Sequence, residues 1–254
     1  MNHGSVLITG AASGIGRCFA QALAPSCERL VICDVDERGL AATAAGLGSG
    51  GSRAESAWLD VARREDVERS LNALFAPSDR LDLLISCAAI LGPGTWATQP
   101  ADDFERVLAI DFIGSVNVVR AALPFLRNAR GRIVLLASTA ALHGWPCLGA
   151  YSAAKFAITG WAEAIRGELA REGVGMTTVF PLLIDTPLLS RPDTPPILRR
   201  GRRIPPESVV RKVMTAVAKG RPRVYIPGSV RLVAVIQGLA PSLLDFWGRR
   251  FGLE

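Results

Sequence analysis

The sequence has 254 residues, 49% of them hydrophobic and 20% charged, which suffices for one large buried core, and no low-complexity linker divides it. Its five cysteines lack metal-ligand spacing and it has only two histidines, which argues against a zinc site. The net charge of +6 is uneven, because residues 1–189 carry 16 basic and 19 acidic side chains whereas residues 190–254 carry 13 and 4. The first apolar run starts at Val6 and leads into a glycine turn, leaving no room for a secretion signal, so we expect a cytoplasmic protein.

Short apolar runs alternate with longer amphipathic segments along most of the chain. The runs predict β-strands at 5–9, 29–33, 56–60, 81–86, 132–138, 175–180 and 223–227. The segments between them predict helices at 14–24, 37–45, 63–75, 101–127, 150–171 and 207–218. This order predicts an α/β fold, a single-domain, Rossmann-like doubly wound parallel sheet over residues 1–254, flanked by helices. Because ligands bind at the carboxyl ends of such strands, functional residues are expected just after each run.

A glycine-rich turn, TGAASGIG, separates the first predicted strand from the first predicted helix. Gly10, Gly14 and Gly16 allow a sharp turn and a close approach of the backbone to a ligand. The free amides at the helix N-terminus can then bind a pyrophosphate. A tight turn without a ligand is the alternative, but the flanking strand and helix favour dinucleotide binding.

Asp34 ends the second predicted strand, about twenty residues past the glycines, where a carboxylate can accept hydrogen bonds from an adenosine ribose. Because this carboxylate would repel a 2′-phosphate, the sequence predicts NAD(H) as the cofactor, with NADP(H) less favoured. Arg17 and Arg38 could weaken that preference.

Tyr151 and Lys155 stand four residues apart in one predicted helix, although the chain has only two tyrosines and three lysines. Side chains at i and i+4 share a helix face, and a nearby ammonium favours the phenolate form of a tyrosine, which can then act as a base near neutral pH. Ser138, at the end of the fifth predicted strand, can hydrogen-bond a substrate oxygen. A surface tyrosine and a solvated lysine are the alternative, but the serine and the glycine turn favour one shared site.

In order and spacing, these motifs resemble those of the short-chain dehydrogenase/reductase family over nearly the whole chain. The family's glycine motif matches residues 9–16, its serine matches Ser138, and its Tyr-x-x-x-Lys matches Tyr151 and Lys155. Its Asp-Val, which the resemblance places beside the adenine, matches residues 60–61, and its Pro-Gly…Thr segment is similar to PLLIDT at 181–186.

The resemblance implies hydride transfer between a nicotinamide cofactor and a secondary alcohol or ketone, in a homodimer or homotetramer. The catalytic positions it implies are Ser138, Tyr151, Lys155 and Asp111, with Lys155 also holding the nicotinamide ribose. The cofactor-binding positions are Gly10, Ser13, Gly14, Ile15, Gly16, Asp34, Asp60, Val61, Cys87, Ala88, Ala89, Tyr151, Lys155, Pro181, Ile184 and Thr186.

Three positions depart from the family pattern. SCAA at 86–89 replaces Asn-Asn-Ala-Gly, Leu182 replaces a glycine, and Asp111 replaces a central-helix asparagine that takes part in a water-mediated proton relay. Two interpretations of Asp111 stay open. Its backbone carbonyl can still hold the relay water, or its charge can support protonation of Lys155 while partly cancelling the pull of Lys155 on Tyr151.

The loop between Ser138 and Tyr151 contains His143, Trp145 and Cys147, which can line a substrate pocket. An ordinary surface position is the alternative for His143. The resemblance places a mobile substrate lid at about 186–206, where apolar side chains suggest a hydrophobic substrate such as a lipid, steroid or polyketide alcohol. These side chains are Leu188, Leu189, Ile197 and Leu198.

The basic residues of the lid, Arg199, Arg200, Arg202 and Arg203, are interpreted most simply as a solvated face, and contact with a phosphorylated carrier or anionic head groups is the alternative. Residues 230–254 form an apolar and basic C-terminal segment whose uncharged run, 232–244, is too short to span a bilayer. Packing on the domain or on a partner subunit is favoured, and peripheral membrane contact is the alternative. No nucleic-acid partner is expected, because the basic residues lack interleaved aromatics.

Together these observations predict an NAD(H)-dependent oxidoreductase whose small-molecule substrate is a hydrophobic alcohol or ketone. A catalytically poor, cofactor-binding regulatory or scaffold protein is the alternative that the three departures keep open.

Overall fold

A computed structural model of the protein describes residues 3–48, 53–190, 192–195, 198–199 and 201–252. Parts of the expected lid, including Ile197 and Arg200, and the last two residues of the C-terminal segment lie outside the described residues.

Across these residues, seven parallel strands form one sheet in the order β3-β2-β1-β4-β5-β6-β7. The strands are β1 (His3–Thr9), β2 (Cys27–Asp34), β3 (Arg53–Trp58), β4 (Leu83–Ser86), β5 (Arg132–Leu136), β6 (Gly175–Pro181) and β7 (Arg223–Ile226). The predicted α/β doubly wound parallel sheet is therefore confirmed. Thr9 is level with Cys33 of β2 and with Ser86 of β4, so the residues that follow these three strands meet at one edge. The strand order reverses between β1 and β4, which opens a crevice at that edge.

Helices cover both faces of the sheet. They are α1 (Gly14–Leu23), α2 (Glu37–Ala45), α3 (Arg64–Leu74), α4 (Ala101–Val107), α5 (Gly114–Ala129), α6 (Gly149–Arg171), α7 (Pro206–Ala218), α8 (Val230–Leu239) and α9 (Pro241–Gly252). The helix expected at 101–127 is interrupted by one wide π-helical turn, Leu108–Ile113, between α4 and α5. Helices α8 and α9 were not predicted from the apolar C-terminal segment.

The core consists of two layers, one on each face of the sheet. Leu7 of β1 packs on the α3, α5 and α6 side, whereas its neighbours Val6 and Ile8 pack on the α1 and α7 side. Successive side chains of a strand point to opposite faces, and here both faces are buried. This arrangement explains why most strands appear in the sequence as continuous apolar runs without polar alternation.

One described helical stretch, Ala101–Ala129, has the length and hydropathy of a membrane span, and α8 with most of α9 passes the same test only as a pair bent by 117°. The first stretch contributes Val118, Ala122 and Phe125 to the core beneath the sheet. The stretch therefore belongs in part to the core of the domain.

Candidate active site

A cavity of about 440 Å³ opens at the carboxyl edge of the sheet. The cofactor-binding positions implied by the sequence all line it: Gly10, Ser13, Gly14, Ile15, Gly16, Asp34, Asp60, Val61, Cys87, Ala88, Ala89, Tyr151, Lys155, Pro181, Ile184 and Thr186. The fold thus gathers into one cavity residues that lie at or after the carboxyl ends of six strands, β1 to β6.

The glycine turn forms the floor of one end of this cavity. Gly10 and Gly14 have φ angles of +70° and +52°, in the left-handed region that favours glycine. A Cβ atom on Gly16 would lie 2.1 Å from the carbonyl oxygen of Gly10, so only glycine fits there. The first amides of α1 follow directly and have no partner within the helix, so this end of the cavity fits a pyrophosphate.

Asp34 is held at the rim of the same end. Its Oδ2 accepts a hydrogen bond from the Ala12 amide at 2.9 Å, and its Oδ1 accepts one from the Asp36 amide at 3.0 Å. Arg17 points elsewhere, because its guanidinium donates to the Thr43 hydroxyl at 2.9 Å and to the Ala12 carbonyl. Neither Arg17 nor Arg38 is among the described residues that line the cavity.

Tyr151, Lys155 and Ser138 share one wall of the cavity. Tyr151 lies in the first turn of α6 and Lys155 one turn later, with the Lys155 Nζ 5.3 Å from the centre of the Tyr151 ring. Lys155 also donates to the Leu136 carbonyl at 3.2 Å. The Ser138 hydroxyl accepts the Ala140 amide at 3.1 Å, which holds the serine at the end of β5.

Asp111 lies behind Lys155, away from the cavity surface. Its Oδ2 is 3.1 Å from the Lys155 Nζ, and the two side chains are 0% and 3% exposed. Its Oδ1 accepts the Ile90 amide at 2.8 Å. The structure therefore joins Asp111 to the tyrosine–lysine pair through a buried ion pair.

The pKa of Tyr151 is shifted upward, whereas a nearby lysine alone would shift it downward. Burial raises the pKa of Tyr151, Lys155 lowers it, Asp111 raises it further and Ser138 lowers it, with a net rise above the ordinary tyrosine value. Burial lowers the pKa of Lys155, but Asp111 and Tyr151 outweigh burial and raise it overall. Lys155 thus acts on Tyr151 in the expected direction, but burial and Asp111 together oppose it.

Leucine side chains surround Tyr151 at the other end of the cavity. Leu91, Leu148 and Leu189 are buried there, with further apolar residues packed against them: Trp145, Tyr151, Leu183, Leu188 and Leu198. Trp145 and Leu188 line the cavity as expected, whereas Leu91 and Leu148 were not predicted. Both lie in loops without a periodic pattern, and their only signal was their position after β4 and before α6.

Both interpretations of His143 were wrong, because this residue neither lines the described cavity nor lies at the surface. It is 5% exposed, its Nδ1 lies 3.0 Å from the Gln237 Oε1 of α8, and its ring packs edge-on against Trp145. Cys147 likewise lines a smaller recess beside the cavity instead of the cavity itself. His143 therefore supports the loop that carries Trp145.

Among the described lid arginines, Arg199 and Arg202 are exposed, as the solvated-face interpretation expects, whereas Arg203 is partly buried and holds the segment together. Arg203 pairs with Asp185 at 3.1 Å and donates to the Leu189 carbonyl at 2.9 Å. Arg199 donates to the Thr194 carbonyl at 2.7 Å, and Arg202 is exposed.

Comparisons with known proteins agree with this geometry. The family described as short chain dehydrogenase matches residues 4–194. The chain is 34% identical over 249 residues to the putative oxidoreductase SadH of Mycobacterium tuberculosis, covering 93% of this chain and 90% of that protein. It is 29% identical over 242 residues to estradiol 17-beta-dehydrogenase 11 of Macaca fascicularis, covering 93% of this chain and 79% of that protein.

Two solved structures share the fold. A short chain dehydrogenase/reductase of Burkholderia phymatum in complex with NAD superposes with a TM-score of 0.85 at 23% identity, covering 96% of this chain and 95% of that one. A variant of actinorhodin polyketide ketoreductase with NADPH superposes with a TM-score of 0.79 at 26% identity, covering 91% and 99%. The residues matched by the family include the glycine turn, Ser138, Tyr151 and Lys155.

Proposed function

Since the chain belongs to the short-chain dehydrogenase/reductase family, we propose that it is an NAD(H)-dependent oxidoreductase that interconverts a hydrophobic secondary alcohol and its ketone. The observation that carries this proposal is the shared wall of Tyr151, Lys155 and Ser138 in a cavity whose other end is built from glycines. We also propose that residues 1–254 act as one catalytic domain with a lid at about 186–206 and an accessory segment at 230–254. Homo-oligomerisation and cytoplasmic location stay predictions.

In this proposal Tyr151 is the acid and base of the reaction. The nicotinamide, when bound, supplies the carbon that accepts or donates the hydride. In alcohol oxidation the Tyr151 oxygen takes the hydroxyl proton, and in ketone reduction its O–H donates a proton to the carbonyl oxygen. The Ser138 hydroxyl orients the substrate oxygen, and the Lys155 ammonium stabilises negative charge on Tyr151 and holds the ribose hydroxyls.

The proposed preference for NAD(H) rests on charge at the rim of the cavity. The Asp34 carboxylate is fixed by two backbone amides, so it stays where it would repel a 2′-phosphate. Arg17, the basic side chain nearest the turn in sequence, is committed to Thr43 and to backbone carbonyls. Structural neighbours solved with NAD and with NADPH exist, so this preference depends on the residues of this chain.

The proposed hydrophobic substrate rests on the leucines around Tyr151. Leu91, Leu148 and Leu189 are each less than 9% exposed, and with Trp145 and Leu188 they form an apolar wall. Apolar surface buried there stabilises a bound molecule by about 25 cal/mol per Å². An alcohol or ketone with a hydrocarbon body fits this end better than a charged or sugar-like one.

Replacement of Tyr151 tests the proposal. We expect Tyr151→Phe, which removes one hydroxyl, to lower turnover by about 10²–10⁴-fold and to leave NAD(H) affinity nearly unchanged. The matched control is Tyr225→Phe, because Tyr225 is the other tyrosine of the chain and stacks on Phe180 in the core.

Turnover in Tyr151→Phe close to that of the unaltered protein would remove Tyr151 from this role. Should the unaltered protein bind NAD(H) but reduce or oxidise no member of a panel of apolar ketones and alcohols, the regulatory or scaffold alternative would be favoured.

A further inference from the structure

Asp111 presents a carboxylate, buried and fixed, to the lysine of the proposed active site. Its Oδ2 lies 3.1 Å from the Lys155 Nζ but accepts no hydrogen bond of good geometry from the described residues, whereas its Oδ1 accepts the Ile90 amide at 2.8 Å. With 0% exposure, the carboxylate cannot be screened by solvent as a surface charge is. The ion pair is therefore screened much less than a pair at the surface.

The backbone around Asp111 holds the carboxylate in this position. Asp111 lies in the wide turn Leu108–Ile113, a π-helical interruption of the kind that often accompanies functional sites. The Ser115 hydroxyl donates to the Asp111 carbonyl at 2.8 Å, and the Ser86 hydroxyl donates to Ser115 at 3.2 Å. The carbonyl already has one partner from the chain itself, while the side chain is directed at Lys155.

Among the residues that the structure describes, the titratable groups that face Lys155 are Asp111 from the π-helical turn, Tyr151 from α6 and Cys87 after β4. Burial raises the pKa of the Cys87 thiol, so that group is neutral in ordinary buffers. Burial raises the pKa of Asp111, whereas Lys155 and the hydrogen bond from the Ile90 amide lower it. When Asp111 is ionised, the charges among the described residues that act on Tyr151 are one ammonium and one carboxylate. An ammonium paired with a carboxylate attracts a phenolate less than an isolated ammonium does.

We propose that Asp111 is a positioning residue that fixes Lys155 and withholds part of its charge from Tyr151, so that Tyr151 keeps its proton and serves as the acid of carbonyl reduction at neutral pH. This inference rests on the proposed function and adds that the favoured direction of the reaction is reduction of the ketone. In that direction the phenol O–H bond breaks, the carbonyl oxygen gains the proton, and the carbonyl carbon gains the hydride from the reduced dinucleotide. Carbonyl reduction is then fastest at pH values below the pKa of Tyr151, where the phenol is protonated. The rate of alcohol oxidation rises as the pH increases through that pKa.

The scarcity of tyrosine in this chain allows a direct test that needs neither cofactor nor substrate. In a Tyr225→Phe background, Tyr151 is the single tyrosine, so the near-ultraviolet absorbance of tyrosinate reports its titration alone. Adding Asp111→Asn should move that titration to lower pH by about one pH unit, because the carboxylate no longer offsets Lys155. Asp103→Asn, which removes an exposed acidic charge from α4, is the matched control and should leave the titration in place.

Two further variants keep the test decisive if the asparagine variant folds poorly. Asp111→Ser also removes the charge and should shift the titration in the same direction, whereas Asp111→Glu retains the charge and should keep the original midpoint. A midpoint that is unchanged or higher in a folded, uncharged variant would overturn the proposal.

Rate measurements then separate this inference from the proposed function. If Tyr151→Phe retains turnover, the proposed function fails whatever the titration shows. If Tyr151→Phe is inactive but the pH profile of kcat/KM for ketone reduction does not move to lower pH in Asp111→Asn, only the role of Asp111 fails.

Discussion

The two ends of the cavity are built in different ways. The cofactor end consists largely of main chain and small residues, such as Gly10, Gly14, Gly16 and Ala88, and it also contains the carboxylates of Asp34 and Asp60. The substrate end consists of large apolar side chains, which come from the loop after β4, the loop before α6 and the lid. The main chain of the cofactor end can bind the pyrophosphate, which all dinucleotide cofactors contain. The side chains of the substrate end lie mostly in loops, so they can vary without disturbing the fold.

Tyr151 belongs to both ends. It lines the cavity beside Lys155 and also packs against the leucines of the substrate end. Substitutions at the two ends should therefore separate cofactor affinity from substrate affinity while both act on the same reaction.

Gly16→Ala should have the largest effect, and it should fall on the cofactor end. The added Cβ would lie 2.1 Å from the Gly10 carbonyl oxygen, so the turn has to open. Such overpacking costs about 1–3 kcal/mol, and we expect NAD(H) affinity, measured by calorimetry, to fall by up to about a hundredfold. Gly160→Ala on α6, where an added Cβ meets open space, is the control. An equal loss in both variants would mean that the turn is not a cofactor cradle.

Asp34→Asn should change which cofactor is preferred. The amide keeps one acceptor for the backbone but removes the negative charge, and hydrogen bonds to charged groups contribute about 1.5–3 kcal/mol. We expect the ratio of kcat/KM for NAD(H) over NADP(H) to fall by about tenfold or more. Asp36→Asn removes a neighbouring exposed charge outside the cavity lining and should leave the ratio unchanged. A wild-type preference for NADP(H) would contradict the assignment of Asp34.

Leu188→Asn should weaken the substrate end alone. Leu188 lines the cavity and is partly buried, so losing its apolar surface should raise KM for a hydrophobic ketone by about fivefold. NAD(H) affinity should stay the same. Leu239→Asn, at a position on α8 that is 82% exposed, is the control. Equal effects on small polar and large apolar substrates would argue against a hydrophobic substrate.

Arg203→Gln should have the smallest effect, through the lid. It removes the ion pair with Asp185 and weakens the anchor on the Leu189 carbonyl. Because a partly exposed pair contributes about 0–1 kcal/mol, we expect kcat/KM to fall no more than about fivefold, with cofactor affinity unchanged. Arg202→Gln, at the exposed neighbouring position, is the comparison variant, and a loss confined to NAD(H) binding in Arg203→Gln would contradict a role in the lid.

The strands were predicted in the correct order, and the largest displacement among them is instructive. β3 spans 53–58, whereas the apolar pattern predicted 56–60. As an edge strand it pairs only with β2 and exposes Arg53, Ala54 and Trp58, so it has no continuous apolar run. Helix α8 was missed for a related reason: Arg231 and Gln237 are its only polar side chains, so its sequence lacks the polar face that identifies a surface helix. Helix α9 does contain polar residues such as Asp245, but its Pro241 and Gly248 are residues that disfavour a helix in a sequence pattern.

The sequence by itself determined the order of the elements as far as β7, the glycine turn, Asp34 and the Tyr151–Lys155 pair, because these features depend on short spacings and on periodicity along the chain. Ser138 was placed with that pair by its position after the fifth strand and by the resemblance to the family. Only the tertiary structure decided that Asp111 pairs with Lys155, that Leu91 and Leu148 meet at the substrate end, and that His143 is buried against α8. Those contacts join residues that lie far apart in the chain. They depend on how helices and loops pack on the sheet, which no local pattern records.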